Sequence, residues 1–366
     1  MKADTKGNST ILLIYTGGTI GMIENKETGA LEPFDFKHIA KHVPEISSFD
    51  FEVTTIQFIP CIDSSNIEPN VWGDMVRIIN DNYYDYDGFV ILHGTDTMAF
   101  TASALSFMLQ NLSKPVIITG SQLPIGMFRT DGKENLITAL QIAADKKDGM
   151  PMVPEVSVYF QNKLMRGNRI SKINAENFNA FSSPNYPPLA KVGIHIRYDD
   201  NAILKRESEG HFKPHYLMNT NVVILKLFPG ITEETIDAIL SIKQLKGVIL
   251  ETYGTGNAMQ REWFIRRLGK AIQQGIVIVN ITQCPTGKVE MEVYETGRRL
   301  MEVGVISGLD STTEAAITKL MFLLGHNCTY KQVVHGMKHS LAGEISTTLH
   351  VFNPDAEIAL PFLVED

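Results

Sequence analysis

The chain has 366 residues, beyond the size at which a single core keeps growing, so two domains are expected. Its 44% hydrophobic and 20% charged residues supply ample core material and exclude a disordered, collagen-like or coiled-coil chain. Thirty-three Lys and Arg against 41 Asp and Glu leave a net charge of −8, which repels phosphate backbones and anionic lipid and excludes nucleic acid and membrane surfaces as general partners.

In chain order, short apolar, β-branched runs alternate with helical patterns. ILLIY (11–15), FEVTTIQFI (51–59), DGFVILHG (87–94), KPVIITG (114–120) and EVSVYFQ (155–161) are predicted strands. Between them, segments 69–83, 97–112 and 132–146 carry apolar residues at three-and-four spacing, as helices lying on a sheet do. Near-continuous apolar strands fit a buried, mostly parallel sheet. From Phe181 to Tyr216 the pattern gives way to Pro, Ser and charge, which reads as a linker. Strands at 221–230, 246–254 and 276–283 then alternate with helices at 233–243 and 261–275, followed by helices at 311–326 and 330–339. The expected fold is α/β with two domains: a larger one over 1–198, a linker over 199–220 and a smaller α/β domain over 221–366.

Cys61, Cys284 and Cys328 are too few and too scattered for a disulfide framework, and none lies in a CxxC pair. Only a five-residue apolar run follows the polar N-terminus, short of a signal-peptide core, so a cytoplasmic location is expected.

In open α/β sheets the functional groups gather at the carboxyl ends of the strands. ILLIY runs into Thr16-Gly17-Gly18-Thr19, DGFVILHG into Thr95-Asp96-Thr97, and EVSVYFQ leads to Arg166-Gly167-Asn168-Arg169-Ile170-Ser171-Lys172. Each has a plain structural alternative: a turn, a helix N-cap, a solvated lysine. Together they provide two hydroxyls, a carboxylate and an ammonium, a set able to activate a weak nucleophile without histidine or metal. A Thr–Lys–Asp relay takes the hydroxyl proton if burial lowers the lysine pKa, and backbone amides of the Gly-rich turn and near Thr95 are placed to steady an oxyanion. His93 reads as structural, and His195, His211 and His215 lie in or near the linker without ligand spacing.

TGGTIG (16–21) and GFVILHGTDTMAFTASAL (88–105) resemble the two signature segments of the bacterial-type L-asparaginases, and the likeness extends through KPVIITGSQLP, RGNRISK, FSSPNYPPL and TQCPTGKV. It covers nearly the whole chain and is closest to the cytoplasmic type I branch. The resemblance implies a two-domain asparaginase-like fold and hydrolysis of L-asparagine to L-aspartate and ammonia, with no metal or organic cofactor. It places Thr16 as nucleophile, on the hinge of a mobile loop, and Thr95, Asp96 and Lys172 as a second triad. Ser64 and Ser65 fall where the family grips the substrate's α-carboxylate and α-amino groups, with Asp96 facing the α-ammonium. Asn257 resembles a residue that reaches a neighbouring subunit's site, which fits a homodimer or a homotetramer; Ser121 and Tyr294 are further candidates. The apolar stretch Met321 to Leu324 is expected to need a partner surface.

The chain also departs from the pattern. Periplasmic members carry a tyrosine on the mobile loop, whereas Met22 to Pro33 holds none; either Tyr294 takes that role or the nucleophile is activated differently. Some cytoplasmic members bind asparagine at an allosteric site through a cysteine and an arginine; Cys284 matches the first, but Glu251 stands at the second. The segment after about Thr347 runs past the common core. Glutamine differs from asparagine by one methylene, worth roughly 1–3 kcal/mol in a pocket, so a minor glutaminase activity is expected. Two rival readings are an amidotransferase subunit releasing ammonia from glutamine for transfer-RNA amidation, and a catalytically silent amino-acid sensor. Only 15 residues precede Thr16, against an extra N-terminal domain in the former's relatives, and intact Thr16, Thr95, Asp96 and Lys172 argue against the latter.

Overall fold

A computed structural model describes residues 9–24, 31–33, 43–205, 211–346 and 360–362. The chain divides into two compact units, Met1–Tyr216 and Leu217–Asp366, with the division falling inside the expected linker.

Eight principal strands build the first unit's sheet: β1 (Thr10–Tyr15), β2 (Glu52–Gln57), β3 (Gly88–Leu92), β4 (Val116–Thr119), β5 (Val156–Phe160), β6 (Lys163–Arg166), β7 (Ala190–Val192) and β8 (Ile196–Tyr198). They lie in the order β8-β7-β6-β5-β4-β3-β1-β2. The five strands from β2 to β5 pair in parallel, and β6, β7 and β8 add antiparallel at one edge. Helices α1 (Pro69–Asp81), α2 (Met98–Met108) and α3 (Gly132–Ala144) form the crossovers. Ile11, Leu12, Leu13 and Ile14 of β1 and Phe89 to Leu92 of β3 are fully buried. Each such side chain contributes roughly 1.5–3 kcal/mol of burial free energy, so the two strands that deliver the threonines are firmly held.

Two features differ from the sequence expectation. The predicted fifth strand does not run straight into the RGNRISK stretch. Gln161 (φ 44°) and Asn162 (φ 61°) make a two-residue turn, so β6 returns antiparallel along β5. Lys172 therefore lies on a separate short ladder, Ser171–Lys172 against Phe181–Ser182, rather than at a strand end of the main sheet. The stretch read as a linker from Phe181 supplies half of that ladder and then β7 and β8.

The second unit is a four-stranded parallel sheet in chain order: β9 (Val222–Lys226), β10 (Gly247–Thr252), β11 (Val277–Thr282) and β12 (Ile306–Ser307). Helices α4 (Glu233–Leu240), α5 (Glu262–Gln273) and α6 (Glu295–Glu302) connect the strands, and α7 (Thr313–Gly325) and α8 (Tyr330–Lys338) follow. Thr312 caps α7 through Ala315 N–H, and Thr329 with Gln332 forms a capping box on α8. Within Met321–Leu324, Phe322 and Leu323 are fully buried, with Phe322 tilted against His326 and edge-on to Phe362. Met321 and Leu324, the other two residues of the stretch expected to need a partner, are half-buried. Residues 347–359 of the expected tail lie outside the described residues.

Candidate active site

The site begins where β1 ends. Thr16 continues the ladder with β3: its N–H donates to Leu92 O (3.0 Å) and its hydroxyl to the same carbonyl (2.9 Å). Its own carbonyl accepts from Ile62 N–H at 2.8 Å, and the residue is 1% exposed. Gly17 (φ 140°) and Gly18 (φ 91°) then turn in a backbone region that favours glycine. A Cβ on Gly18 would stand 2.5 Å from Gly94 N, and one on Gly94 would stand 2.5 Å from Ser64 Oγ. The turns at Thr16 and Thr95 therefore meet backbone to backbone, and the Ser64 side chain packs against Gly94. Beneath them the buried Tyr15 hydroxyl donates to Gly18 O at 3.4 Å. Burial, reinforced by Cys61, pushes that phenol well above its ordinary range.

The second turn follows β3. His93 is buried, and burial pushes its pKa down to about 4. Its ring bridges Gly94 O (2.6 Å from Nδ1) and Thr101 Oγ1 (2.9 Å from Nε2), and Trp72 Nε1–H donates to the same Thr101 hydroxyl (2.9 Å). Gly94 O only accepts, so the neutral imidazole carries its proton on Nδ1, and its bare Nε2 accepts from the Thr101 hydroxyl, which in turn accepts from the indole N–H. His93 is thus a structural brace under the peptide that precedes Thr95.

Thr95 and Lys172 are in direct contact. Lys172 Nζ donates to Thr95 Oγ1 at 2.9 Å and to Asp96 Oδ1 at 2.7 Å. The lysine side chain is 20% exposed and that of Asp96 is 64% exposed, so the carboxylate opens to solvent while the ammonium is mostly covered. Thr97 sits at the N-cap of α2 without capping it. Its hydroxyl instead donates to Ser64 O at 2.7 Å, tying the Ser64 turn to the Thr95 turn. Neither Thr95 nor Asp96 takes the plain N-cap alternative.

Ser64 is buried, and Ser65 is exposed. Asp63 accepts from Ser65 N–H (2.9 Å) and Ser65 Oγ (2.8 Å), and these two bonds hold its carboxyl below the ordinary range. The buried Ser121 hydroxyl donates to Leu123 O and is spent on its own turn. Residues 22–24 and 31–33 pair as an antiparallel ladder; residues 25–30, where the mobile loop is expected, lie outside the described residues.

The other candidates belong to the second unit. Asn257 bridges back to the Tyr253 backbone, and its side-chain oxygen accepts from Thr296 Oγ1 at 2.5 Å. Tyr294 is exposed at the N-cap of α6. Glu251 on β10 is buried, accepts from Thr313 Oγ1 at 2.7 Å and faces Lys226 at 3.4 Å, whereas Cys284 is exposed. Among the described residues no group of three His, Cys, Asp or Glu could hold a metal ion, and no helix is long and apolar enough to cross a membrane.

Sequence reasoning passed over Gln122, whose side chain accepts from Thr95 Oγ1 at 3.2 Å. It lies just past β4, so the strand-end rule that found Thr16 and Thr95 points there too.

The comparisons with known proteins agree with this geometry. Residues 10–204 match the N-terminal asparaginase family model, and residues 221–337 match the glutaminase/asparaginase C-terminal domain. The chain is 43% identical over 342 residues to L-asparaginase 1 of Escherichia coli (strain K12), covering 92% of this chain and 98% of that protein. The crystal structure of L-asparaginase I from Vibrio cholerae superposes with a TM-score of 0.85 at 41% identity, covering 93% of this chain and all of that one. The thermostable L-asparaginase from Thermococcus kodakarensis gives a TM-score of 0.84 at 34% identity, with 93% and 100% covered. With both halves of the chain matched by asparaginase family models and a relative 43% identical over nearly its whole length, the protein belongs to the asparaginase family.

Proposed function

We propose that the chain is an L-asparagine amidohydrolase that yields L-aspartate and ammonia through a threonine nucleophile. The carrying observation is the contact of Lys172 with both Thr95 and Asp96, on a turn whose backbone stacks on that of Thr16. Thr16 Oγ1 leaves its bond to Leu92 O and attacks the side-chain carboxamide carbon. The carbon–nitrogen bond breaks, ammonia leaves with the hydroxyl proton, and an ester to Thr16 remains. Water then attacks the ester, passing one proton to Thr95 Oγ1 as Thr95 passes its own to the amine form of Lys172; the bond to Thr16 breaks, the Thr16 oxygen takes the remaining proton from the new carboxyl group, and L-aspartate is released. Amides at the Gly-rich turn and at the opening of α2 are suited to the oxyanion. Asp96, exposed beside the lysine, supplies the charge for the α-ammonium, and Ser64 and Ser65 the hydroxyls for the α-carboxylate.

The same reading gives minor glutamine hydrolysis, a cytoplasmic location, a homodimer or homotetramer, and a C-terminal domain in which Asn257 and Tyr294 complete a site across a subunit contact. Glu251, committed to Thr313 and Lys226, is unsuited to the arginine role of an allosteric site, so the rate against asparagine concentration is hyperbolic. Ammonia release by the purified protein is the test: turnover of asparagine exceeding that of glutamine, abolished by Thr16→Ala, is the expected result. A Thr16→Ala protein that kept wild-type turnover would overturn the nucleophile assignment.

A further inference from the structure

Gln122 is locked at both its backbone and its side chain. Its N–H donates to the two carboxylate oxygens of Asp131 (3.1 and 3.0 Å), Leu123 N–H adds a bond to Oδ1 (3.2 Å), and Asn135 Nδ2 donates to Oδ2 (3.3 Å). The turn after β4 is thereby fastened to the first turn of α3. At the other end, Gln122 Nε2 donates to Ala175 O (3.2 Å) and Asn177 O (3.1 Å) on the loop that follows Lys172. That loop is itself pre-set, because Asn174 Oδ1 accepts from the N–H groups of Glu176 and Asn177, each at 2.8 Å.

These contacts decide which way the carboxamide faces. Two backbone carbonyls can be served only by the NH₂ end, so the oxygen is turned to Thr95. Thr95 has a single hydroxyl proton, and an ammonium at Lys172 only donates. The proton of Thr95 therefore goes to Gln122 Oε1, and a lone pair of Oγ1 receives Lys172.

We propose that Gln122 is a positioning residue that acts through Thr95, holding its hydroxyl proton whenever Lys172 is protonated. This rests on the relay role assigned to Thr95 above. In the relay, water gives a proton to Thr95 Oγ1 while the former hydroxyl proton moves to Lys172 Nζ. The new hydroxyl proton then turns to Gln122 Oε1, which frees a lone pair for the newly formed ammonium. Without that acceptor the hydroxyl has no fixed direction at either stage.

The test is a double-mutant cycle on the full-length enzyme with asparagine as substrate, using Gln122→Leu, Thr95→Ala and the pair, each checked for an unchanged melting temperature. Gln122→Leu is expected to lower kcat by about tenfold to a hundredfold with KM within about threefold, and to have no further effect once Thr95 is alanine. Loss of KM with kcat kept would make Gln122 a substrate-binding residue and overturn the proposal. So would a Gln122→Leu loss of equal size in the Thr95→Ala background, which would assign the effect to the 173–179 loop. If Thr95→Ala alone keeps near wild-type turnover, the relay reading fails first. If Thr95→Ala is crippled and Gln122→Leu is neutral, only the Gln122 assignment fails.

Discussion

The two threonines proposed to react follow neighbouring strands and are held in opposite ways. Thr16 is sealed, its hydroxyl given to the backbone carbonyl of Leu92 and, among the described residues, no ionisable side chain bonded to it. Thr95 is wired, with a lysine donating to it, a glutamine accepting from it and an aspartate on the same lysine. A nucleophile held by a neutral carbonyl stays unreactive until a substrate displaces that bond, whereas a proton relay needs its charged partners in place beforehand. The difference teaches that the division of labour proposed for the two hydroxyls lies in their partners, since the side chains are chemically the same.

Substitutions can break this contrast, beginning with the largest effect. Thr16→Ala is expected to lower kcat by roughly 10⁴-fold or more, measured as ammonia release, because no other group forms the ester. Thr95→Val and Lys172→Met, which keep volume and remove the relay, should each cost about 10² to 10⁴-fold. If either matched or exceeded the Thr16→Ala loss, the two-role division would collapse. Gly18→Ala bears on the contact between the turns: a Cβ 2.5 Å from Gly94 N, at φ 91°, should destabilise the fold by about 2–4 kcal/mol, seen as a lower urea midpoint.

The smallest effect concerns the brace under Thr95. Burial pushes His93 down to about 4 from its ordinary 6.5, so between those values the unfolded chain binds more protons than the folded one. Stability contributed by the neutral ring is therefore present at pH 7 and is lost as the pH falls, by about 2 kcal/mol at pH 5. In His93→Gln the fall in melting temperature between pH 7 and pH 5 should be correspondingly smaller. An unchanged fall would show that the ring is protonated without penalty and does not brace the Thr95 turn.

Much of this arrangement was legible in the residues. Buried parallel strands are written as near-continuous apolar runs, so β1, β3, β4, β5, β10 and β11 stand out, and the polar residues just past β1 and β3 mark the site. Where strands are short and half-exposed the code fades: β7 and β8 alternate charge with single apolar residues and lie in a Pro-rich, charged stretch, so composition alone reads them as a linker. Helix α6 went unseen because its charged ETGRRLME run buries only Gly297 and Leu300. The route of Lys172 depends on two positive-φ residues, Gln161 and Asn162, neither of them a glycine that would announce a tight turn. Gln122 carries no charge and makes its contacts to backbone carbonyls and one hydroxyl, partners that no residue pattern displays.

The stacking of Gly18 on Gly94, and of Gly94 on Ser64, has a consequence for altering the enzyme. The spacing between the turns proposed for nucleophile and relay is set where the main chains of Gly18 and Gly94 touch, so it behaves as a fixed dimension of the scaffold. Ordinary side-chain replacement has no handle on it. Preference among amide substrates must then be tuned at the rim, through Ser65 and Asp96, while the working distance of the machine stays constant.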